Sequence, residues 1–423
     1  MHISMGLRGI FARETGPVLV VGAGPAGATA ARALALAGLP VRLLDRSGFP
    51  RNKPCGGAIS IRVLERFPYL ESALGCIGTH RVARLHLEGP DGTATTVESD
   101  APAVLTIRRV EFDALLVSLA VEAGVELTTG ADVVQAASHK GGVSLMTRDG
   151  RRFEAPVVVA ADGVNSVVAR RLGLNQGWAP SAVALDMMEE TPREALRDAD
   201  PSTLWVAYGY RGDGYAYLFP KREHVNVGIG YVLSYYREAL DKTHRAPYEL
   251  QHAFVDTLRA RGVIAGRSVR GNFTPFLIPV GGPLREPGRG RVLLVGDAGG
   301  FVNAFTAEGI YYAMVSGELA AHSVVDAYRR DRVDLMAGRY ADACRREIGA
   351  ELRDAVLVQK YLFGDRRRVS TIVRGIGRRP AVTRAVLDYA MGRRTYRAAR
   401  RQVLARLPLF AARMFWEGAR LRA

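Results

Sequence analysis

At 423 residues the chain is long enough for two or three units with cores of their own, and its 48% hydrophobic and 24% charged content is ordinary for a soluble globular protein. Cys55, Cys76 and Cys344 are too few and too scattered for a disulfide framework or a zinc site, the eight histidines show no metal spacing, and a reducing cytoplasm is the simplest compartment. The net charge of +16 is concentrated at one end: from Arg366 to Ala423 sixteen arginines face only Asp388 and Glu417, so this segment carries +14 and the other 365 residues +2.

The first sixteen residues lack the apolar run of a signal peptide, and no uncharged stretch reaches membrane-spanning length. VLVV, residues 18–21, reads as a short buried parallel strand. A glycine turn and an alanine-rich helix run to Gly38, and VRLLD, 41–45, forms the second strand of a βαβ opening. The turn is GAGPAG, with Gly22, Gly24 and Gly27 spaced for a tight turn, close approach to a pyrophosphate, and helix-on-strand packing. A helix N-terminus there presents N–H groups and a positive dipole end to phosphates. Asp45, ending the next strand 21 residues after Gly24, is the expected acceptor for an adenosine ribose hydroxyl, with Arg46 beside it.

Next comes NKPCGGAIS, 52–60, a loop with Cys55 between a proline and a glycine pair. Its thiol is open to three readings: nucleophile, flavin neighbour or small buried filler. Residues 82–98 predict a hairpin turning near Asp91-Gly92. Residues 110–123 predict a helix, at whose start Arg109 precedes Asp113 by one turn, as a cofactor-contacting arginine or as half of a surface ion pair. VVVAADG, 157–163, ends another buried strand. From about 180 to 283, alternating stretches such as LWVAYGY, YAYLFPK and VNVGIGYVL predict a mostly antiparallel sheet.

RVLLVGDAGG, 291–300, returns to the parallel style, and a helix follows to Arg329. Here Asp297 is placed to accept from ribityl hydroxyls, and the helix start at Gly309 and Ile310 to offer N–H groups to a flavin pyrimidine ring. A nicotinamide enzyme has no need of this second element, so FAD is favoured as the resident cofactor. Residues 340–423 read as helices broken by glycine and proline, and 403–416, VLARLPLFAARMFW, as an interfacial segment.

The fold class expected is α/β: a discontinuous Rossmann-like FAD-binding domain (1–81, 105–178 and 284–340), an inserted, mostly antiparallel sheet domain for substrate (82–104 and 179–283), and a basic C-terminal helical region (341–423).

These elements resemble the FAD-binding group that includes p-hydroxybenzoate hydroxylase, aromatic monooxygenases, flavin halogenases and geranylgeranyl reductases. AADGVNS, 160–166, is similar to that group's second strand-end motif, which implies that Asp162 and Gly163 lie near the cofactor. FPRNKPCGGAIS, GYAYLFPKREHVNVGIG (214–230), the run from Gly296 through GDAGGFVNAFTAEGIYYAMVSG and GRRTYRAARRQVLARLP (392–408) look like the geranylgeranyl reductases in particular. Two positions depart from that family: Tyr217 stands where it usually has tryptophan and Gly212 where it has proline. The halogenase signature of paired tryptophans is absent, with YAYLFP in its place.

The resemblance implies that Cys55 lines the active site, with Gly56 and Gly57 allowing close approach to flavin, and that Tyr215, Tyr217 and Phe219 wall a substrate cavity. Hydride from reduced flavin and one proton would saturate an isoprenoid double bond. Tyr215, Tyr217, Cys55 and an ordered water are the candidate proton donors, none strongly acidic unperturbed. Lys221 reads as an exposed strand-end charge, or as a weaker phosphate ligand.

The expected substrate is a geranylgeranyl-type lipid, a prenylated quinone or pigment, or a prenyl diphosphate. NADPH, ferredoxin or another reductant would supply electrons, and the basic tail would touch a membrane from the cytoplasm. Two other functions share the cofactor motifs: a flavin monooxygenase or oxidase of a natural product, and a non-catalytic membrane-associated flavin fold. No nucleic-acid-binding fold and no metal site is expected.

Overall fold

The computed structural model describes residues 16–197, 199–210, 214–240, 246–363 and 365–378. Gly212, the segment 392–408 and the interfacial segment 403–416 lie outside the described residues.

The apolar run at Val18–Val21 is buried on both faces and pairs in parallel with Val41–Leu44 on one side and Val158–Ala160 on the other. Glu126–Thr128 and Val292–Leu294 extend this sheet, and the short antiparallel strand Gly288–Arg289 closes one edge. Fully buried parallel strands need apolar residues at every position, which is why these segments do not alternate. Two helices cover one face side by side. Pro25–Leu36 packs its alanines against Ile310–Arg329, and small side chains let the two backbones approach closely. Arg109–Glu122 lies beside the first of them.

The second sheet has seven strands in the order Phe273–Pro279, Val183–Pro192, His224–Val232, Gly214–Pro220, Thr203–Tyr210, Arg84–Glu88 and Ala94–Glu98. All neighbours are antiparallel except Thr203–Tyr210 with Arg84–Glu88. The predicted hairpin is present, with Gly92 at φ +79° in its turn. The period-2 pattern sends Met187, Trp205, Val227 and Ile229 to one face, where Pro247–Ala260 covers them. The opposite face carries Tyr208, Tyr215, Tyr217, Phe219 and Met188. It is covered in part by Val358 of Ala350–Phe363 and by Val369, Val373 and Ile376 of Arg366–Arg378.

Three features go beyond the sequence expectation. Val133–His139, Gly142–Thr147 and Arg152–Ala155 form a separate three-stranded antiparallel sheet. Pro247–Ala260 is a helix inside the region read as sheet. Ala58–Ser60, His80–Val82 and Val104–Thr106 form a small sheet beside the cysteine loop.

Candidate active site

The glycine turn joins Val18–Val21 to the helix that starts at Pro25. Gly22 sits at φ +96°, and a Cβ there would lie 2.3 Å from the Ala161 carbonyl oxygen. A Cβ on Gly27 would lie 1.8 Å from the Gly22 oxygen, so both glycines are demanded by the fold itself. Gly24 differs: a Cβ there would meet nothing nearer than the Arg51 guanidinium at 3.8 Å. Gly24 is the N-cap of its helix and no side chain caps it, leaving N–H groups free for an anion. Asp45 accepts from the Ala23 N–H at 2.7 Å and the Ser47 N–H at 2.8 Å, which fixes it against the turn. Arg46 is exposed at the strand end.

The second helix start answers the first. Ile310–Arg329 begins after Gly309, again without a side-chain cap. A Cβ on Gly309 would lie 3.6 Å from Asp297 Oδ1, so the carboxylate stands beside that helix start. Burial raises the Asp297 carboxyl above the usual range, against the pull of Lys53 and Arg109. Ala307, just before this helix, has φ +56°, a left-handed conformation that costs energy in a non-glycine residue. Two uncapped helix starts, a half-buried carboxylate and an open glycine thus suit a dinucleotide with a polyol chain.

Arg109 is no surface ion pair. It is 8% exposed and holds the fully buried Asp113 through two hydrogen bonds, 2.6 and 2.8 Å. Burial disfavours its charge, but Asp113 and Cys55 more than offset this and keep the guanidinium protonated. Arg51, from the loop, reaches Asp113 at 3.3 Å and Asp45 at 3.8 Å, linking the glycine turn to this pair. Asp162 is mainly structural. It accepts from Ser166 Oγ at 2.5 Å and from the Val167 and Val168 N–H groups, anchoring the next short helix. Gly163 beside it is at φ +81° with open space around it.

The Cys55 loop lies between the two sheets. The Cys55 carbonyl accepts from Asn226 Nδ2 at 3.1 Å, and a Cβ on Gly56 would come within 3.1 Å of the Phe219 ring. Gly57, at φ +71°, would drive a Cβ to 2.2 Å from the Ile107 oxygen. The Cys55 thiol accepts from the Gly57 N–H at 3.4 Å and has Arg109 and Lys53 as cationic neighbours. All three cysteines are free thiols.

Strand register arranges the facing sheet in rows. Phe276, Asp186, Gly230, Tyr215 and Tyr208 form one row, and Met188, Gly228, Tyr217 and Val206 the next. The glycines make room. A Cβ on Gly228 would lie 2.3 Å from Tyr217 Oη, so the tyrosine lies over that strand and donates to Asp186 Oδ2 at 3.2 Å. Tyr217 stacks on Phe219 with ring centres 4.6 Å apart, and Tyr208 on Phe305 at 5.2 Å. A cavity of about 50 Å³ remains between Asp186, Tyr215, Gly230, Ile278, Phe305 and Ala307, with Gln359 of the C-terminal helices on its wall.

Tyr215 and Tyr217, expected as proton donors, are weakened as acids. Burial and the neighbouring Asp186 push both hydroxyls well above their ordinary range. Asp186 shifts in the same direction but from a lower start: burial raises its carboxyl to about 7, partly opposed by Tyr217, the Met187 N–H and Lys53. Sequence reasoning missed Asp186, although the alternation of VALDMMEE places it on the same face as Met188 and Glu190, opposite glycine and tyrosine. It also missed Arg51 and Lys53, the cations of the cysteine loop. Lys221 corrects the expectation of an exposed charge: it is fully buried and paired with Glu190, because its strand end runs under Gly57. A polar cleft of about 290 Å³ lined by Cys76, Arg108, Glu111, Arg222 and His224 includes none of the residues assigned to flavin. Among the described residues no His, Cys, Asp and Glu cluster suits a metal ion.

Comparison with known proteins identifies the family and the fold. The family model described as FAD binding domain matches residues 15–347. Digeranylgeranylglycerophospholipid reductase 2 of Methanothermobacter thermautotrophicus is 30% identical over 82% of this chain and 88% of its own. Menaquinone reductase of Mycobacterium tuberculosis is 30% identical over 82% of this chain and 84% of its own. The crystal structure of a geranylgeranyl bacteriochlorophyll reductase-like protein from Thermoplasma acidophilum superposes with TM-score 0.77 at 20% identity, covering 92% of this chain and 98% of that one.

Proposed function

The chain belongs to the FAD binding domain family, in the geranylgeranyl reductase group of FAD-dependent oxidoreductases, and from that premise we propose that it saturates C=C bonds of an isoprenoid chain. The observation that carries this is the chamber wall. Tyr208, Tyr215, Tyr217, Phe219, Phe276 and Phe305 give the sheet an apolar, aromatic face against the cysteine loop, of which Tyr215 and Phe305 line the cavity, and such a face suits a hydrocarbon rather than a polar aromatic acid. The flavin, when bound, supplies hydride chemistry. Gly22, Gly24, Gly27, Asp45 and Arg109 would hold its diphosphate and adenosine end, and Asp297, Gly309 and Ile310 its polyol and ring. Cys55, Gly56 and Gly57 close over it, while Tyr215, Tyr217 and Phe219 hold the alkene and exclude water.

On this reading residues 1–81, 105–178 and 284–340 form the flavin-binding domain, 82–104 and 179–283 bind substrate, and the described helices Ala350–Phe363 and Arg366–Arg378 cover part of the aromatic face. The substrate class is a geranylgeranyl lipid, a prenylated quinone or pigment, or a prenyl diphosphate, reduced with electrons from NADPH or another carrier. No described helix is long and apolar enough to cross a membrane. Peripheral contact at the cytoplasmic face is supported by exposed Leu357, Tyr361 and Ile372 beside Arg366, Arg367, Arg368 and Arg374.

The test is a product mass assay on dithionite-reduced protein with geranylgeranyl lipids, first without oxygen and then in air. Gain of hydrogen pairs without oxygen is the expected result. Gain of an oxygen atom in air, with no hydrogenation, would replace this reading by a monooxygenase.

A further inference from the structure

Saturating one C=C bond takes two electrons and two protons, delivered as one hydride and one proton. One carbon gains a hydride from the reduced flavin, which is thereby oxidised by two electrons. The π pair then forms the second C–H bond with a proton on the neighbouring carbon. That proton has to reach the alkene from the chamber wall or from water.

We propose that the Asp186 carboxylic acid delivers this proton from Oδ1, an inference that rests on the reductase reading above. Asp186 is 6% exposed and, among the described residues, is the only acidic side chain on the cavity wall. Its two oxygens are differently engaged. Oδ2 accepts from Tyr217 Oη at 3.2 Å, whereas Oδ1 is buried without a hydrogen bond of good geometry among the described residues, the Met187 N–H exerting only a backbone pull on the carboxyl. An ionised carboxylate would leave that oxygen poorly solvated, which favours the neutral acid with its proton on Oδ1. The groups facing it are Tyr215 from its own row, Tyr217 from the next, Phe276 from the strand on its other side, Lys53 from the cysteine loop and the Met187 backbone N–H. Gly230, directly opposite in register, leaves the space over Asp186 open for a substrate carbon.

Burial raises this carboxyl to about 7, where an acid is both loaded and able to release its proton. When the Oδ1–H bond breaks, the new carboxylate keeps the Tyr217 hydrogen bond and the Lys53 charge. Water returns the proton before the next turnover. Tyr217 is therefore a positioning residue here, holding the carboxyl through Oδ2 and stabilising its charged form.

The test is anaerobic single turnover. Flavin-loaded protein is reduced with dithionite and mixed with geranylgeranyl diphosphate in detergent micelles, and flavin reoxidation is followed by visible absorbance. Asp186→Asn keeps the acceptor for Tyr217 but has no acid proton. It is expected to retain flavin and half-saturating substrate concentration while its reoxidation rate falls at least ~100-fold. The wild-type rate should fall as pH rises through about 7, and the residual rate of Asp186→Asn should lack that fall. Asp186→Glu, which keeps an acid, should recover part of the rate and the pH limb. A rate for Asp186→Asn within threefold of wild type, or the same pH limb in both, overturns the proposal. If wild-type flavin is not reoxidised at all, the reductase reading falls and the proposal with it, which separates the two failures.

Discussion

Asp113→Asn is the substitution on which the reasoning about buried charge can be tested most directly. Asp113 is fully buried and faces two guanidiniums, Arg109 at 2.6 and 2.8 Å and Arg51 at 3.3 Å. Asparagine keeps the shape and one acceptor oxygen but removes the charge that offsets Arg109, itself 8% exposed. Breaking one side of a buried pair costs about 3–5 kcal/mol, because the remaining charge stays out of water. The retained amide acceptor and the second contact of Arg51 with Asp45 favour the lower end, about 3 kcal/mol. Arg109→Met alone strands Asp113 less severely, since Arg51 remains beside it. The double variant Asp113→Asn with Arg109→Met leaves neither charge stranded and should recover at least half of the loss, a coupling measurable by urea unfolding of the four proteins. Flavin content separates structure from cofactor contact. The double variant should regain stability yet still purify with little flavin, because Arg109 is assigned to the diphosphate. A cost below about 1 kcal/mol for Asp113→Asn would refute the buried-charge argument. Recovery of both stability and flavin would reduce Arg109 to a structural residue.

Two further outcomes follow from the same geometry. Gly27→Ala would force a Cβ to 1.8 Å from the Gly22 oxygen and should abolish soluble folded protein, whereas Gly24→Ala, with 3.8 Å of clearance, should fold normally and lose flavin affinity at least ~10-fold, read by flavin fluorescence titration. Asp186 should also make stability fall with pH. Its folded carboxyl holds a proton up to about 7, while the unfolded one releases it near 3.8, so the folded state binds more protons across that window. Stability is then highest below pH 4 for this group and declines by about 4 kcal/mol through pH 7, at about 1.4 kcal/mol per unit. In flavin-free protein, Asp186→Asn should remove that decline, and a wild-type-minus-variant difference that stays constant from pH 4 to pH 8 would show that the carboxyl titrates normally.

What the sequence made legible follows from where local pattern and chemistry coincide. The βαβ opening could be read because Gly22, Gly24 and Gly27 do different jobs at fixed spacing, and the structure separates them into two that the backbone requires and one that faces open space. The second flavin element was legible for the same reason: GDAGG and the helix after Gly309 are local. The seven-stranded sheet came from period-2 alternation, but its order did not, because the parallel pairing of Thr203–Tyr210 with Arg84–Glu88 joins strands more than a hundred residues apart. Pro247–Ala260 was hidden inside that region, since its apolar face is set by the sheet it covers.

Charges were misread wherever their partner came from a distant segment. Lys221 looks exposed at a strand end, and only the fold brings Glu190 beside it and Gly57 over it. Arg109 and Asp113 announce a pair by spacing, but whether that pair meets water depends on Arg51 and the cysteine loop. Asp186 is the sharpest case. In sequence it is one acid among Met187, Met188, Glu189 and Glu190. Register decides the rest: it sets Asp186 beside two tyrosines and a glycine, while Glu189 turns to the other face and accepts from Ser268 and the Val269 N–H. The same strand thus places one carboxyl in a satisfied network and another against an apolar cavity with an oxygen left over. A neutral acid in the second position is what a reaction that must protonate carbon requires, and a one-residue slip of that strand would turn Asp186 to the helix-covered face and Glu189 to the aromatic one.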